Sequence, residues 1–212
     1  MTGHAAAERA ALCDLFDSVG PDAPTLCEGW TAYDLAAHLA VRDRVPAAWP
    51  GIAVSRFAGR TQRIQDEFRD GHPYEEVVAL VRRGGPAWLP TGAPVLGELT
   101  NLVEYVVHHE DLRRAQADWV PRAVPTDLAD ALWTQLRLIA RGLFRRAPVG
   151  VRLRRAGTDS TVTAHGGEPA VEVVGDPVEL LLYAFGRRSV ARVEPRGDRD
   201  AVAKLATARL GM

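Results

Sequence analysis

The spacing of Glu104 and His108 is that of two metal ligands on one helix. They are four residues apart in the segment 103–111, so their side chains lie on one helix face, about one turn apart. A carboxylate oxygen and an imidazole nitrogen placed in this way can bind one cation. The apolar residues around the pair favour this interpretation, because a buried carboxylate without a partner is costly. A Glu–His pair on a solvated helix surface is the alternative.

His38 is a third candidate ligand, on a different helix. Thr31 and Asp34 have the spacing of a capping box at a helix start, and His38 follows beside the apolar face of that helix. Taken by itself, such a histidine is more typical of a hydrogen-bonded core residue. Together with Glu104 and His108 it forms a His-Glu-His set with an open coordination position, which is typical of catalytic rather than structural zinc.

The other histidines and the cysteines are weaker candidates. His109 is rotated by about 100° from its neighbour on a helix, so it is not expected to be a ligand. Cys27 has a carboxylate beside it, Glu28, which disfavours a thiolate nucleophile, and a structural role is expected. With Cys13 it forms neither a disulfide framework nor a cysteine-rich zinc site. No functional role is expected for the histidines near a terminus, in a turn and at a strand end: His4, His72 and His165.

Helices must position the candidate ligands, and the pattern of apolar residues predicts where these helices lie. Before Pro148 apolar residues recur every three or four positions, which predicts a helical domain over residues 1–146. Long amphipathic helices of this kind are accommodated in a four-helix bundle with a shared core. The long helices are predicted at about 2–19, 31–45, 97–117 and 126–143, the last capped by Thr126, with a shorter helix after Pro73 and a weakly patterned one at 56–70.

After Pro148 short β-branched runs alternate with turn residues, which predicts a small α+β domain over residues 149–212. A three-stranded meander is expected first, followed by a helix, a strand and a terminal helix. The strands are predicted at 151–155, 160–164, 170–174 and 190–194, and the helices at 178–185 and 198–210. The fold class expected for the whole chain is therefore α+β. The spaced glycines of a phosphate loop are missing, so a nucleotide-binding βαβ fold is not expected.

The composition excludes several classes of partner. The 212 residues suffice for one or two domains, and 26 basic against 27 acidic residues give a net charge of −1. Binding of nucleic acid or of an anionic membrane by bulk charge would need a basic surplus. No apolar stretch approaches the roughly 20 residues of a transmembrane helix, and Met1–Ala5 does not resemble the start of a signal peptide. With two reduced thiols, a cytoplasmic protein is expected.

Two segments carry a resemblance to a known family. Residues 25–39 contain C-x-G-W-T-x-x-D-x-x-x-H-L, and residues 104–115 contain E-x-x-x-H-x-x-D-x-R. This pair resembles the actinobacterial mycothiol-dependent maleylpyruvate isomerase family, within the DinB-like group of metal-binding four-helix bundles. The resemblance covers the helical part and extends more weakly to residues 174–187, which are similar to the sterol-carrier-like domain often appended in this family. Lys204 is the only lysine beside 25 arginines, a bias that fits a GC-rich actinobacterial genome.

The resemblance implies a ligand set and supporting residues. By position, the metal ligands are His38, Glu104 and His108, the same set that the spacing suggests. Asp34 and Asp111 are implied either to accept a hydrogen bond from these histidines or to have a structural role, because ligating histidines usually donate their second ring N–H to an acceptor.

Two arginines follow the second motif. Arg113 and Arg114 are candidates for a substrate carboxylate, and an ion pair with Glu110 or exposure to solvent is the favoured alternative.

The resemblance also implies a function. In enzymes of this family a divalent metal, usually zinc, binds the thiol of mycothiol and supplies a thiolate that attacks an electrophilic carbon. We therefore expect a metal-dependent transferase or isomerase that uses a mycothiol-type thiol on a small electrophilic substrate. No motif selects maleylpyruvate. Neither nucleic acid nor a membrane is expected as a partner, and a homodimer is compatible with this interpretation. The alternative is a non-enzymatic protein that binds a metal or another ligand in the same bundle.

Overall fold

The computed structural model describes residues 3–48 and 58–211. Its contacts divide the chain into two compact units, Met1–Pro121 and Arg122–Met212. Each unit is described by itself below. Within the described ranges, no helix combines the length and the apolar character that crossing a membrane requires.

The first unit is helical. Its helices are α1 (His4–Val19), α2 (Ala32–Arg44), α3 (Ala58–Asp70), α4 (Tyr74–Arg83) and α5 (Pro94–Arg113), with a 3-10 turn at Pro46–Ala48. Helix α1 packs against α5 and α4, and α2 packs against α4 and α3. The weakly patterned segment is thus a helix from Ala58 onwards; Arg56 and Phe57, at its predicted start, and Thr2 lie outside the described residues. Helix α5 begins three residues earlier than predicted, because Pro94 fits the first helical turn.

Apolar side chains at helical spacing form the core of this unit. Phe16 is fully buried and meets Tyr74 edge to face, with ring centroids 6.5 Å apart. Each such side chain contributes about 1.5–3 kcal/mol when it leaves water. Leucines and valines on the facing helices are also buried: Leu12, Leu35, Leu39, Val77, Val81, Leu102 and Val106. This core holds α2 and α5, which carry the candidate ligands, in fixed positions.

The start of α2 has the predicted capping box. The Thr31 hydroxyl accepts from the Asp34 amide at 3.4 Å, and the Asp34 carboxylate accepts from the Thr31 amide at 2.9 Å. Arg69 of α3 donates to the other Asp34 oxygen at 2.6 Å. Both partners therefore stabilise the first turn of the helix that carries His38.

The second unit combines helices with a four-stranded sheet, so the chain is α+β as predicted. Its elements are α6 (Thr126–Leu143), β1 (Gly150–Arg155), β2 (Thr161–His165), β3 (Ala170–Gly175), α7 (Pro177–Ala184), β4 (Glu194–Arg196) and α8 (Arg199–Thr207). Helix α6 packs against α7 and β2. The contacts thus group α6 with the second unit, whereas the sequence pattern places it in the first domain; the domain boundary at 146–149 stays a prediction.

The sheet differs from the predicted meander. Its order is β2-β1-β3-β4, with β3 parallel to β1 along the edge opposite β2. The chain crosses over the start of β1 to reach this edge. A side chain at Gly150 would clash with the Gly167 carbonyl in the crossing segment, so glycine permits the close approach.

Two local predictions in this unit are wrong. The last strand is Glu194–Arg196, which pairs antiparallel with β3, and not the segment 190–194. Register against a neighbouring strand determines this position, and the local pattern carries no information about it. Thr126 does not cap α6 either, because the N-cap position is Pro125 and no side-chain bond caps this helix.

Candidate metal centre

Three side chains from α2 and α5 bring donor atoms together. Glu104 Oε1 lies 3.3 Å from His38 Nε2 and 3.3 Å from His108 Nε2. The donor atoms of all three residues lie within 4.8 Å of one another. Donors about 2.0–2.1 Å from a tetrahedral zinc ion are about 3.3–3.4 Å apart. Two edges of the cluster already have the separation that one such ion requires, and the donor set has the chemistry that zinc prefers.

The cluster is largely buried. The side chains of His38 and His108 are each 11% exposed, and that of Glu104 is 20% exposed. The rings of the two histidines meet edge to face at 5.2 Å, and Trp30 packs on His38 with ring centroids 5.1 Å apart.

Hydrogen bonds orient both histidines through their second ring nitrogen. His108 Nδ1 lies 2.9 Å from Oδ2 of Asp111, which is fully buried. His38 Nδ1 lies 3.4 Å from Oε1 of Gln65, on α3. When Nδ1 donates to these acceptors, Nε2 of each ring directs its lone pair towards Glu104, as in histidine metal ligands generally. Asp111 thus contacts a candidate ligand, as the family resemblance implies. Gln65 lies on a weakly patterned helix, and its contact with His38 was not predicted.

The charges of the site are strongly coupled. Burial raises the pKa of Glu104, but the Arg42 guanidinium and bonds from His108 and His38 together hold it well below its usual range. Burial lowers the pKa of His108, but bonds to Asp111, Cys27 and Glu104 raise it well above its usual range. The protonation of His108 and that of Glu104 therefore depend on each other. A cation bound at Nε2 of His108 would exclude a proton from that atom.

Arg42 is a further member of the site, and sequence reasoning gave it no role. Its Nε lies 3.4 Å from Glu104 Oε1, and its NH1 donates to Asp43 at 2.9 Å and to Asn101 at 2.8 Å. Its NH2 donates to the Thr100 carbonyl at 2.7 Å. Arg42 follows His38 by four residues and so lies on the same face of α2. This spacing could have indicated that Arg42 lies near the site. The guanidinium is thus fixed between α2 and α5 and keeps the Glu104 carboxylate ionised.

Two other predicted residues have partners outside the cluster. His109 Nδ1 lies 3.1 Å from Glu8 Oε2 of α1, on another side of α5, so His109 is directed away from His38 and Glu104. Asp34 stabilises the start of α2 and forms its described bonds with Thr31 and Arg69. It therefore positions the helix that carries His38, and no bond to the ring of His38 is among those described.

The two arginines at the end of α5 form ion pairs with Glu110. Arg113 NH1 lies 3.2 Å from Glu110 Oε1, and Arg114 Nε lies 2.6 Å from Oε2. Arg114 is buried and lies over the Trp119 ring at 4.8 Å. The favoured alternative of the sequence analysis, pairing with Glu110, is the observed arrangement.

Neither cysteine belongs to the cluster of His38, Glu104 and His108. Cys27 Sγ lies 3.3 Å from Asp111 Oδ2, and with His108 and Asp111 it forms a second group of donor atoms within 4.8 Å. In this second group, Asp111 Oδ2 bonds to both Cys27 Sγ and His108 Nδ1. Cys27 therefore helps to hold the carboxylate that orients the His108 ring. Cys13 is fully buried, and burial raises the pKa of its thiol to about 12, so it is a poor nucleophile.

Comparison with known proteins identifies the fold. No protein-family model and no curated protein sequence matches the chain. Among solved structures, the mycothiol-dependent maleylpyruvate isomerase matches with 19% sequence identity over 93% of this chain and 97% of that chain, at a TM-score of 0.56. A histidine-to-alanine mutant of that enzyme matches over the same shares at 18% identity and a TM-score of 0.58. The chain therefore has the α+β fold of the mycothiol-dependent maleylpyruvate isomerase.

Proposed function

We propose that this protein is a metal-dependent enzyme that uses a small thiol of the mycothiol type. The enzyme either transfers this thiol to a small electrophilic substrate or uses it to isomerise the substrate. The observation that carries the proposal is the convergence of His38 Nε2, Glu104 Oε1 and His108 Nε2 on one point between α2 and α5. Zinc is the expected cation, because two imidazoles and one carboxylate are a common donor set of catalytic zinc.

The residues of the site suit this chemistry. Three protein donors leave a coordination position open to a small molecule. A bound divalent cation supplies the low thiol pKa that makes a thiolate available near neutral pH. Asp111 and Gln65 orient the two histidines, and Arg42 keeps the Glu104 carboxylate ionised. Trp30 packs on His38 and shields part of the site from water.

The fold supports the thiol co-substrate. The structures that match over 93% of the chain belong to an enzyme named for its dependence on mycothiol. The chemical class that we propose for the substrate is a small electrophile, and the choice between transfer and isomerisation stays open.

Metal binding provides the first test, and the chain offers a matched control. His108 and His109 are adjacent, both are buried and both pair with carboxylates, but only His108 belongs to the cluster. We expect His108→Gln to bind Zn²⁺ at least about 100-fold more weakly than the wild type, because a ligand is lost. His109→Gln should retain the wild-type affinity. Titration against a chromogenic chelator measures both, and equal affinity of the two variants would show that the site is wrong.

Thiol turnover provides the second test. Zinc-loaded wild type should conjugate monochlorobimane with mycothiol, His109→Gln should retain this activity, and His108→Gln should lose it. Conjugation by His108→Gln at the wild-type rate would contradict the proposal. If the wild type binds Zn²⁺ at the cluster but turns over none of several thiols and electrophiles, the non-enzymatic metal-binding alternative is correct.

A further inference from the structure

A cavity of about 440 Å³ lies in the first unit, away from the three donor atoms. Its wall is formed by the first turns of α1, the segment after α4 and the first turns of α5. Two guanidinium groups line it, those of Arg9 and Arg83. The volume falls within the range of about 300–1,000 Å³ that small-molecule sites occupy. The cavity can therefore hold a ligand larger than an inorganic ion.

The two arginines of the cavity differ from their neighbours in having no acidic partner. Among the residues that the structure describes, neither Arg9 nor Arg83 forms an ion pair. Arg82, adjacent on α4, pairs with Asp14 at 2.7 Å and with Asp17 at 2.7 Å. The positive charge of Arg82 is thus neutralised by α1, whereas that of Arg83 is not.

A third arginine lies near the first two. Arg44 donates to the carbonyl oxygens of Leu80 and Gly84, at 3.1 Å and 2.6 Å, and its Nε is buried without a hydrogen-bond partner. Burial is the largest effect that lowers the pKa of Arg44, and the positive charge of Arg83 lowers it further. Asp43 raises this pKa, and Arg9 lowers it by a smaller amount. Three positive charges therefore repel one another at this end of the bundle.

One carboxylate, that of Glu98, lines the cavity, and it already accepts hydrogen bonds from the backbone. Both oxygens of Glu98 accept from the Ala5 amide at the start of α1, at 3.1 Å and 3.2 Å. With Arg9 and Arg83, the lining therefore carries a net charge of +1, and Arg44 nearby adds another positive charge. An anion would reduce the repulsion among the arginines.

We propose that this cavity is a binding site for a small organic anion, held through a carboxylate or phosphate group by Arg9 and Arg83. Guanidinium groups suit such groups, because their N–H donors match the paired oxygens of either. The site is separate from the metal centre but in contact with it through side chains. Asn101, in the cavity wall, accepts from Arg42, whose Nε lies 3.4 Å from the ligand Glu104.

Calorimetric titration of the metal-free full chain tests the proposal, so the result does not depend on the metal or on turnover. Inorganic phosphate and succinate are the probes, in buffer of low ionic strength because salt screens charge pairs. Both probes should bind saturably. Arg83→Gln and Arg9→Gln should each weaken binding by about tenfold, since each removes a charge-assisted contact. Tighter binding of either probe supports the proposal and identifies the head group.

Arg82→Gln is the matched control. It removes the same charge from the neighbouring position of α4, but from a side chain already paired with Asp14 and Asp17. We expect its affinity for both probes to equal that of the wild type. Absence of saturable binding in the wild type would overturn the proposal. The same conclusion would follow if Arg82→Gln and Arg83→Gln weakened binding equally, because binding would then reflect overall charge.

Discussion

Tyr105 joins α2 and α5, the helices that carry the candidate ligands, by a buried hydrogen bond whose strength can be measured. Tyr105 is fully buried, and its hydroxyl donates to Asp43 Oδ2 at 2.6 Å. Asp43 is 1% exposed, and its other oxygen accepts from Arg42 at 2.9 Å. Replacement of Tyr105 by Phe keeps the ring and removes only the hydroxyl. One oxygen of a buried carboxylate then loses this donor, and Arg9 loses its bond to the same hydroxyl.

The expected cost follows from the charge of the acceptor. A hydrogen bond to a charged group contributes about 1.5–3 kcal/mol, and one between neutral groups about 0.5–1.5 kcal/mol. Tyr74 provides the neutral case, since its buried hydroxyl donates to the Phe16 carbonyl at 2.8 Å. We therefore expect Tyr105→Phe to lower the free energy of unfolding by about 2 kcal/mol and Tyr74→Phe by about 1 kcal/mol.

Urea denaturation followed by circular dichroism measures both variants. With a slope of about 2 kcal/mol per molar urea, Tyr105→Phe should lower the midpoint by about 1 M and Tyr74→Phe by about half of that. A cost for Tyr105→Phe no greater than that for Tyr74→Phe would refute the reasoning. It would mean that the carboxylate of Asp43 gains nothing from this donor beyond what a neutral carbonyl gains.

Three further predictions address the start of α2, the hydrogen bond that orients His38 and the sheet crossing. Burial raises the pKa of Asp34, but hydrogen bonds from Thr31 and Arg69 outweigh this effect and lower the pKa below 3.8. The ionised carboxylate therefore stabilises the fold above pH 3.8, and this stabilisation is lost as the pH falls through the folded-state pKa. Asp34→Asn should cost about 1 kcal/mol near pH 7, and urea midpoints should converge with wild type in acid. Gln65→Leu removes the acceptor of His38 and should weaken Zn²⁺ binding by about tenfold; Gln62→Leu, exposed on the same helix, should not. Gly150→Ala should lower the thermal midpoint by several degrees, and an unchanged midpoint would contradict the close approach.

Local pattern was sufficient for most of the helices and for the members of the cluster. The pitch of a helix places Glu104 and His108 on one face, and the capping box determines where α2 begins and hence the face on which His38 lies. Both signals depend on residues a few positions apart. The sequence by itself thus identified three side chains that the structure brings together, and it indicated the α+β class through the change of pattern near Pro148.

The remaining features depend on residues far apart in the chain, and only the tertiary structure decided them. Arg42 and Gln65 acquire their roles because side chains of α5 and α3 meet those of α2, and no local pattern specifies such neighbours. The parallel pairing of β3 with β1 likewise depends on a crossing that Gly150 permits. Helical pitch is a property of neighbouring residues, whereas packing and strand pairing are properties of the whole fold.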